Sequence, residues 1–171
     1  MKSKWTGAFL LSVVAVCVYA ANVLATSPAT TFVKSTFDEI DLKGHALTLR
    51  NVDDGKTLPD RWFASLKTQG RSDVYVVDNK FSPGATSGWH SHPGPSLILV
   101  VSGTVTNYTG DDPGCSPRTY SAGTGFVDPG GEDAHMLRNE TADPAETIAV
   151  QLLPTGAPRK TDATAPANCP A

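Results

Sequence analysis

Beyond residue 25, no stretch of this chain sustains an apolar stripe through three helical turns. What recurs is a short run rich in Val, Ile, Thr and Tyr that stops at a corner bearing glycine or proline. Such runs lie at 45–51, 73–81, 96–103, 104–110 and 146–153, and 15 glycines and 13 prolines punctuate them. Frequent corners leave no room for crossover helices, so the pattern predicts an all-β, antiparallel sandwich or barrel. The segment 58–67, LPDRWFASLK, reads as a short helix or as a strand. Residues 26–44 are polar and mixed, which predicts a leader or an edge strand before a β-domain over 45–155. The tail 156–171 predicts an irregular surface strap.

Chemistry concentrates between Gly84 and Gly103, GATSGWHSHPGPSLILVVSG. His90 and His92 are separated by one residue, and alternate side chains of an extended strand share a face, so both imidazoles project into one interior. Two imidazoles on one rigid strand fix two coordination positions of a first-row divalent metal at small entropic cost. The chain has four histidines, and His135 lies in a second turn, FVDPGGEDAHMLRN, that leads into another apolar run. The plain alternative is a solvated His-Ser-His loop and a core histidine at position 135. Pro93-Gly94-Pro95 and Pro129-Gly130-Gly131 make rigid corners beside these histidines. They frame a concave, mostly apolar pocket fit for a small ligand.

Gly84, His90, His92 and Gly103 stand at the spacings of the first cupin motif, and Gly123, Pro129, Gly131, His135 and Asn139 resemble the second. The resemblance covers about residues 73–153. It implies a single-domain cupin jelly-roll β-barrel with His90, His92 and His135 holding Fe, Mn, Ni, Cu or Zn inside. Two departures are visible. Ser96 stands where the family carries a glutamate ligand, and one extra residue separates Gly131 from His135. Glu132 and Asp133, in the lengthened turn, are candidates to replace the missing carboxylate as ligand or base. Ser96 is a candidate hydrogen-bonding neighbour of the site, and Trp89 either walls the pocket or packs in the core. Asn139 is expected to bond the backbone of its own turn.

Lys2 and Lys4 precede an apolar run, 8–18, and small residues ending at Ala25, the layout of a secretory signal over 1–25. Cleavage is expected after Ala25, with Ala20 second; an uncleaved anchor over 5–25 is the rival. Losing residues 1–25 removes two lysines and no acid, moving the formal charge from −3 to −5. An acidic chain with scattered cations is a poor nucleic-acid binder, and no membrane contact beyond the signal is expected. Cys17 leaves with the signal, so Cys115 and Cys169 form an even pair and predict a disulfide in a secreted or periplasmic protein.

The resemblance implies a dioxygenase-type oxidoreductase acting on a small organic molecule. A binding protein without turnover is the second reading, motivated by Ser96. Sugar isomerisation fits poorly, since Arg138 is the one basic residue of the second motif and alternation turns it away from His135. A homodimer through an edge strand is a further expectation. Asn107 and Asn139 head glycosylation-type triplets that read as chance matches.

Overall fold

Among the described residues, ten strands pair into two five-stranded sheets, and every pairing between them is antiparallel. The computed structural model describes residues 26–51 and 57–169; the signal segment 1–25, its cleavage points and the rival anchor lie outside the described residues. The strands are β1 Ala29–Phe37, β2 Asp41–Asn51, β3 Thr57–Lys67, β4 Ser72–Phe81, β5 His90–Ser91, β6 Ser96–Ser102, β7 Thr104–Thr109, β8 Arg118–Ser121, β9 Gly125–Asp128, β10 His135–Arg138, β11 Ala145–Pro154 and β12 Thr161–Asp162. One sheet runs β1-β4-β11-β6-β9 and the other β12-β5-β10-β7-β8, while β2 and β3 form a separate two-stranded sheet. No helix occurs among the described residues, and the all-β jelly-roll expectation holds.

The ambiguous 58–67 segment is strand, β3, paired in full register with β2. Its apolar side chains Trp62, Phe63 and Leu66 are exposed, which explains why no helical stripe could be read there. The tail is less irregular than its composition implied: Thr161 and Asp162 add a two-residue strand opposite Ser91 and His90.

The core lies between the two sheets. In β11 burial alternates strictly, sending Ala145, Thr147, Ala149, Gln151 and Leu153 inward. β6 alternates likewise, with Ser96, Ile98 and Val100 inside and Leu97, Leu99 and Val101 outside. Ile98, Val100, Val77, Phe81 and Ala149 meet Val105 and Leu137 of the opposite sheet. Each large apolar side chain removed from water there contributes about 1.5–3 kcal/mol. A second cluster, Trp89, Tyr108, Cys115 and Met136, packs against Cys169. Cys115 and Cys169 are disulfide-bonded with Cα atoms 5.3 Å apart, tying the tail to the loop after β7.

Asn139 is fully buried and holds its turn as expected. Its Nδ2 donates to the carbonyls of Phe81 (3.0 Å) and Asp143 (2.8 Å), and its Oδ1 accepts from the Thr141 amide (3.0 Å). Burial of Asn139 and of Asn107 agrees with reading both glycosylation-type triplets as chance.

The two proline-glycine corners pack against one another. Gly130 adopts φ +72°, and a Cβ on it would run into the backbone of Gly94. The neighbouring Gly131 amide donates to the His92 carbonyl at 2.7 Å. Glycine at 130 is therefore what lets the two histidine-bearing segments approach, while a Cβ at Gly94 would run into the Leu152 carbonyl of β11.

Candidate metal centre

His90 and His135 are brought together by sheet register: they are directly opposed residues in the β5–β10 ladder. His92, one residue beyond β5, completes the group from the same side as His90. The three rings stand with centroids 4.5–5.3 Å apart. One ligand-capable nitrogen from each lies within 4.8 Å of the others, and all three residues are buried. The extra residue before His135 is absorbed in the exposed turn 131–133 and leaves the ring at the site.

Each ring is anchored through Nδ1. That of His90 is 2.8 Å from the Gly88 carbonyl, that of His92 2.8 Å from the Arg159 carbonyl, and that of His135 3.3 Å from Oδ1 of Asn107. All three partners are acceptors, so Nδ1 carries the proton and Nε2 carries the lone pair. The Gln151 amide nitrogen also stands 3.1 Å from Nδ1 of His92. Two donors facing each other make no bond, and the shorter carbonyl contact sets the tautomer. Burial, then the charge of His135, pushes His90 down to about 3, and burial with His92 pushes His135 down to about 4. Both rings are neutral, as metal ligation requires.

The Nε2 atoms of His92 and His135 stand 3.3 Å apart. Two nitrogens each about 2.0–2.1 Å from one zinc-sized ion at a tetrahedral angle have a separation of about 3.3 Å. Converging lone pairs repel unless a cation lies among them, so donor set, tautomers and spacing fit a divalent transition metal. An acid that the motif reading missed faces the same point. Asp128 Oδ2 lies 3.5 Å from Nε2 of His92 and 3.4 Å from Nε2 of His135, is buried, and has no hydrogen-bond partner. Its Oδ1 accepts the Gly130 amide at 2.9 Å. In the folded strand Val127 turns outward and Asp128 inward.

The remaining candidates are placed as follows. Ser96 is fully buried and its Oγ accepts from Nε2 of Gln151 at 3.3 Å, so it touches the residue beside His92. Trp89 packs in the second apolar cluster. Glu132 and Asp133 are exposed on the turn. Asp133 lines a cavity of about 220 Å³ that runs from an exposed rim with Asp111 and Arg118 to His135 and Asp128. Asn107, Gln151 and the Arg159 carbonyl also escaped the sequence reading, because they act by supporting histidines and carry no motif spacing.

Fold and site define an all-β jelly-roll protein with an internal histidine cluster positioned for a metal ion. Residues 79–151 match the family model described as the cupin domain, so the chain carries a cupin domain over that segment. No curated protein matches it significantly. Among solved structures it is similar to a conserved double-stranded β-helix domain protein from Klebsiella pneumoniae, 22% identical with TM-score 0.45, over 53% of this chain and 75% of that one. A cupin superfamily protein from Desulfitobacterium hafniense is 15% identical with TM-score 0.41, over 47% and 67%. The DMSP lyase DddQ from Ruegeria pomeroyi is 18% identical with TM-score 0.44, over 55% and 44%.

Proposed function

We propose that the chain is an exported cupin metalloprotein that holds one divalent transition ion on His90, His92 and His135 and acts as a dioxygenase-type oxidoreductase on a small organic molecule. The observation that carries this reading is the convergence of three buried imidazoles whose Nδ1–H groups are tied back to acceptors. Iron, manganese, nickel, copper and zinc all accept such a set. Bound there, the ion supplies Lewis acidity and, for the redox-active metals, electron transfer. The chain's own residues hold the three nitrogens in register, keep the His90 and His135 rings neutral by burial, and limit the substrate to what enters a cavity of about 220 Å³. Arg118 at its rim offers a cation to an anionic group.

Export is supported by the basic start, short apolar middle and small residues of 1–25, and by the disulfide, which persists in oxidising compartments. Ser96, where a glutamate was implied, favours a second reading in which the site binds metal or a small molecule without turnover. A homodimer is placed in this reading on the exposed apolar face of the β1-containing sheet, Leu97, Leu99, Val101 and Val127, and not on edge-strand pairing. Oxygen-electrode measurements on metal-loaded protein with phenolic and thiol substrates test the enzymatic reading. Uptake absent in His90→Ala/His92→Ala supports it, and no uptake with any metal in either protein leaves the binding reading.

A further inference from the structure

We infer that Asp128 is a fourth protein ligand, its Oδ2 completing a three-histidine, one-carboxylate centre; the inference rests on the three-imidazole reading above. The argument is electrostatic. Oδ2 is an acceptor, and the atoms it faces at 3.4 and 3.5 Å are imidazole nitrogens whose protons are on the far side of each ring. Three lone-pair-bearing atoms converge in a buried space with no donor among them. An unsatisfied buried acceptor is destabilising, and more so if charged. A divalent cation at the point of convergence turns all of those repulsions into bonds.

The backbone aims the carboxylate. Oδ1 is held by the Gly130 amide, and Pro129 follows at once, so the side chain is fixed with Oδ2 inward. Asp128 is also the directly opposed partner of Ser96 in the β6–β9 ladder. Opposed residues of an antiparallel pair share a face with Cβ atoms about 4.5–5.5 Å apart. A carboxylate on either residue therefore addresses the same interior. Its presence on β9 makes the serine on β6 compatible with a four-ligand site. The centre would then carry a net charge one unit lower than three imidazoles alone would leave, and Asp128 and His135 both line the cavity.

The test is Co(II) titration of the full-length protein, read by visible absorption and by competition with a chelator. Asp128→Asn retains an oxygen for the Gly130 amide while removing the charge. It is expected to bind Co(II) about 10–100-fold more weakly, with an altered ligand-field spectrum. Adding Ser96→Glu to Asp128→Asn is expected to restore most of the lost affinity. Asp128→Asn with wild-type affinity and an unchanged spectrum overturns the inference while sparing the histidines. Should Asp128→Asn also lower the metal-free melting temperature, the Ser96→Glu double variant decides: recovery supports the carboxylate ligand and no recovery overturns it. A wild-type protein that binds no more Co(II) than His90→Ala/His92→Ala removes the three-imidazole reading and this one together.

Discussion

His90 and His135 lie directly across from each other in the β5–β10 ladder, so one backbone register sets two of the three imidazoles. A strand register is all or none: a slip of one residue sends a side chain to the opposite face. The site thus depends on whatever holds β5 against β10, and on the contact between the two corners that follow and precede these strands.

Gly130 is the tightest point of that contact. A Cβ there meets the Gly94 backbone, and φ +72° is unfavourable for any other residue. Gly130→Ala is expected to lower stability by roughly 1–3 kcal/mol and to weaken metal retention, because the Asp128–Gly130 turn shifts with it. Chemical denaturation and metal content of the same preparation check both effects. Gly123→Ala, with φ +82° and nothing within 4 Å of the added Cβ, is the control, expected to strain the backbone without touching metal retention.

Asp73 clasps the edge of the structure together. Its carboxylate, fully buried, bonds Lys34 Nζ at 2.8 Å, Thr36 Oγ1 at 2.7 Å and the Gly156 amide at 3.2 Å. Lys34 first and then Thr36 hold its pKa down at about 2, against 3.8 for a free side chain. A depressed carboxylate contributes stability in full above the unfolded value, and that contribution is lost as pH falls from 3.8 toward about 2. Asp73→Asn is expected to melt below wild type at neutral pH, with the gap closing inside that acidic window. A gap independent of pH contradicts the assignment of the clasp.

The disulfide reaches the site through the tail. Cys115–Cys169 pins the C-terminal segment, and the Arg159 carbonyl in that segment accepts the Nδ1 proton of His92. In the chain-entropy model a bridge spanning 54 residues is worth about 4 kcal/mol less native strain. Cys115→Ser/Cys169→Ser is expected to lose stability of that order and to release metal more readily. Denaturation midpoints and dialysis against chelator read the two consequences separately.

The exposed Leu97 and Leu99 are expected to lie in a homodimer interface. Light scattering should give twice the chain mass for wild type and the single mass for Leu97→Glu/Leu99→Glu. A monomeric wild type contradicts that expectation.

Much of the fold was legible because short alternating runs and proline-glycine corners leave little but an antiparallel sheet sandwich. His90 and His92 were legible because a two-residue period is local information. Asp128 was not, since what makes it face the imidazoles is its long-range pairing with Ser96; read locally, Asp-Pro-Gly is an ordinary turn. The exposed Glu132 and Asp133, three and two residues before His135, drew the expectation of a substitute carboxylate instead. The β2–β3 hairpin was hard to type because its apolar residues face outward, which erases the burial pattern that separates strand from helix.

The central claim is that three converging imidazoles hold a metal ion inside this barrel. Elemental analysis of purified protein beside His90→Ala/His92→Ala tests it most directly. The account predicts close to one equivalent of a divalent transition metal in the wild type and almost none in the variant. Equal, negligible metal in both proteins after loading would contradict it.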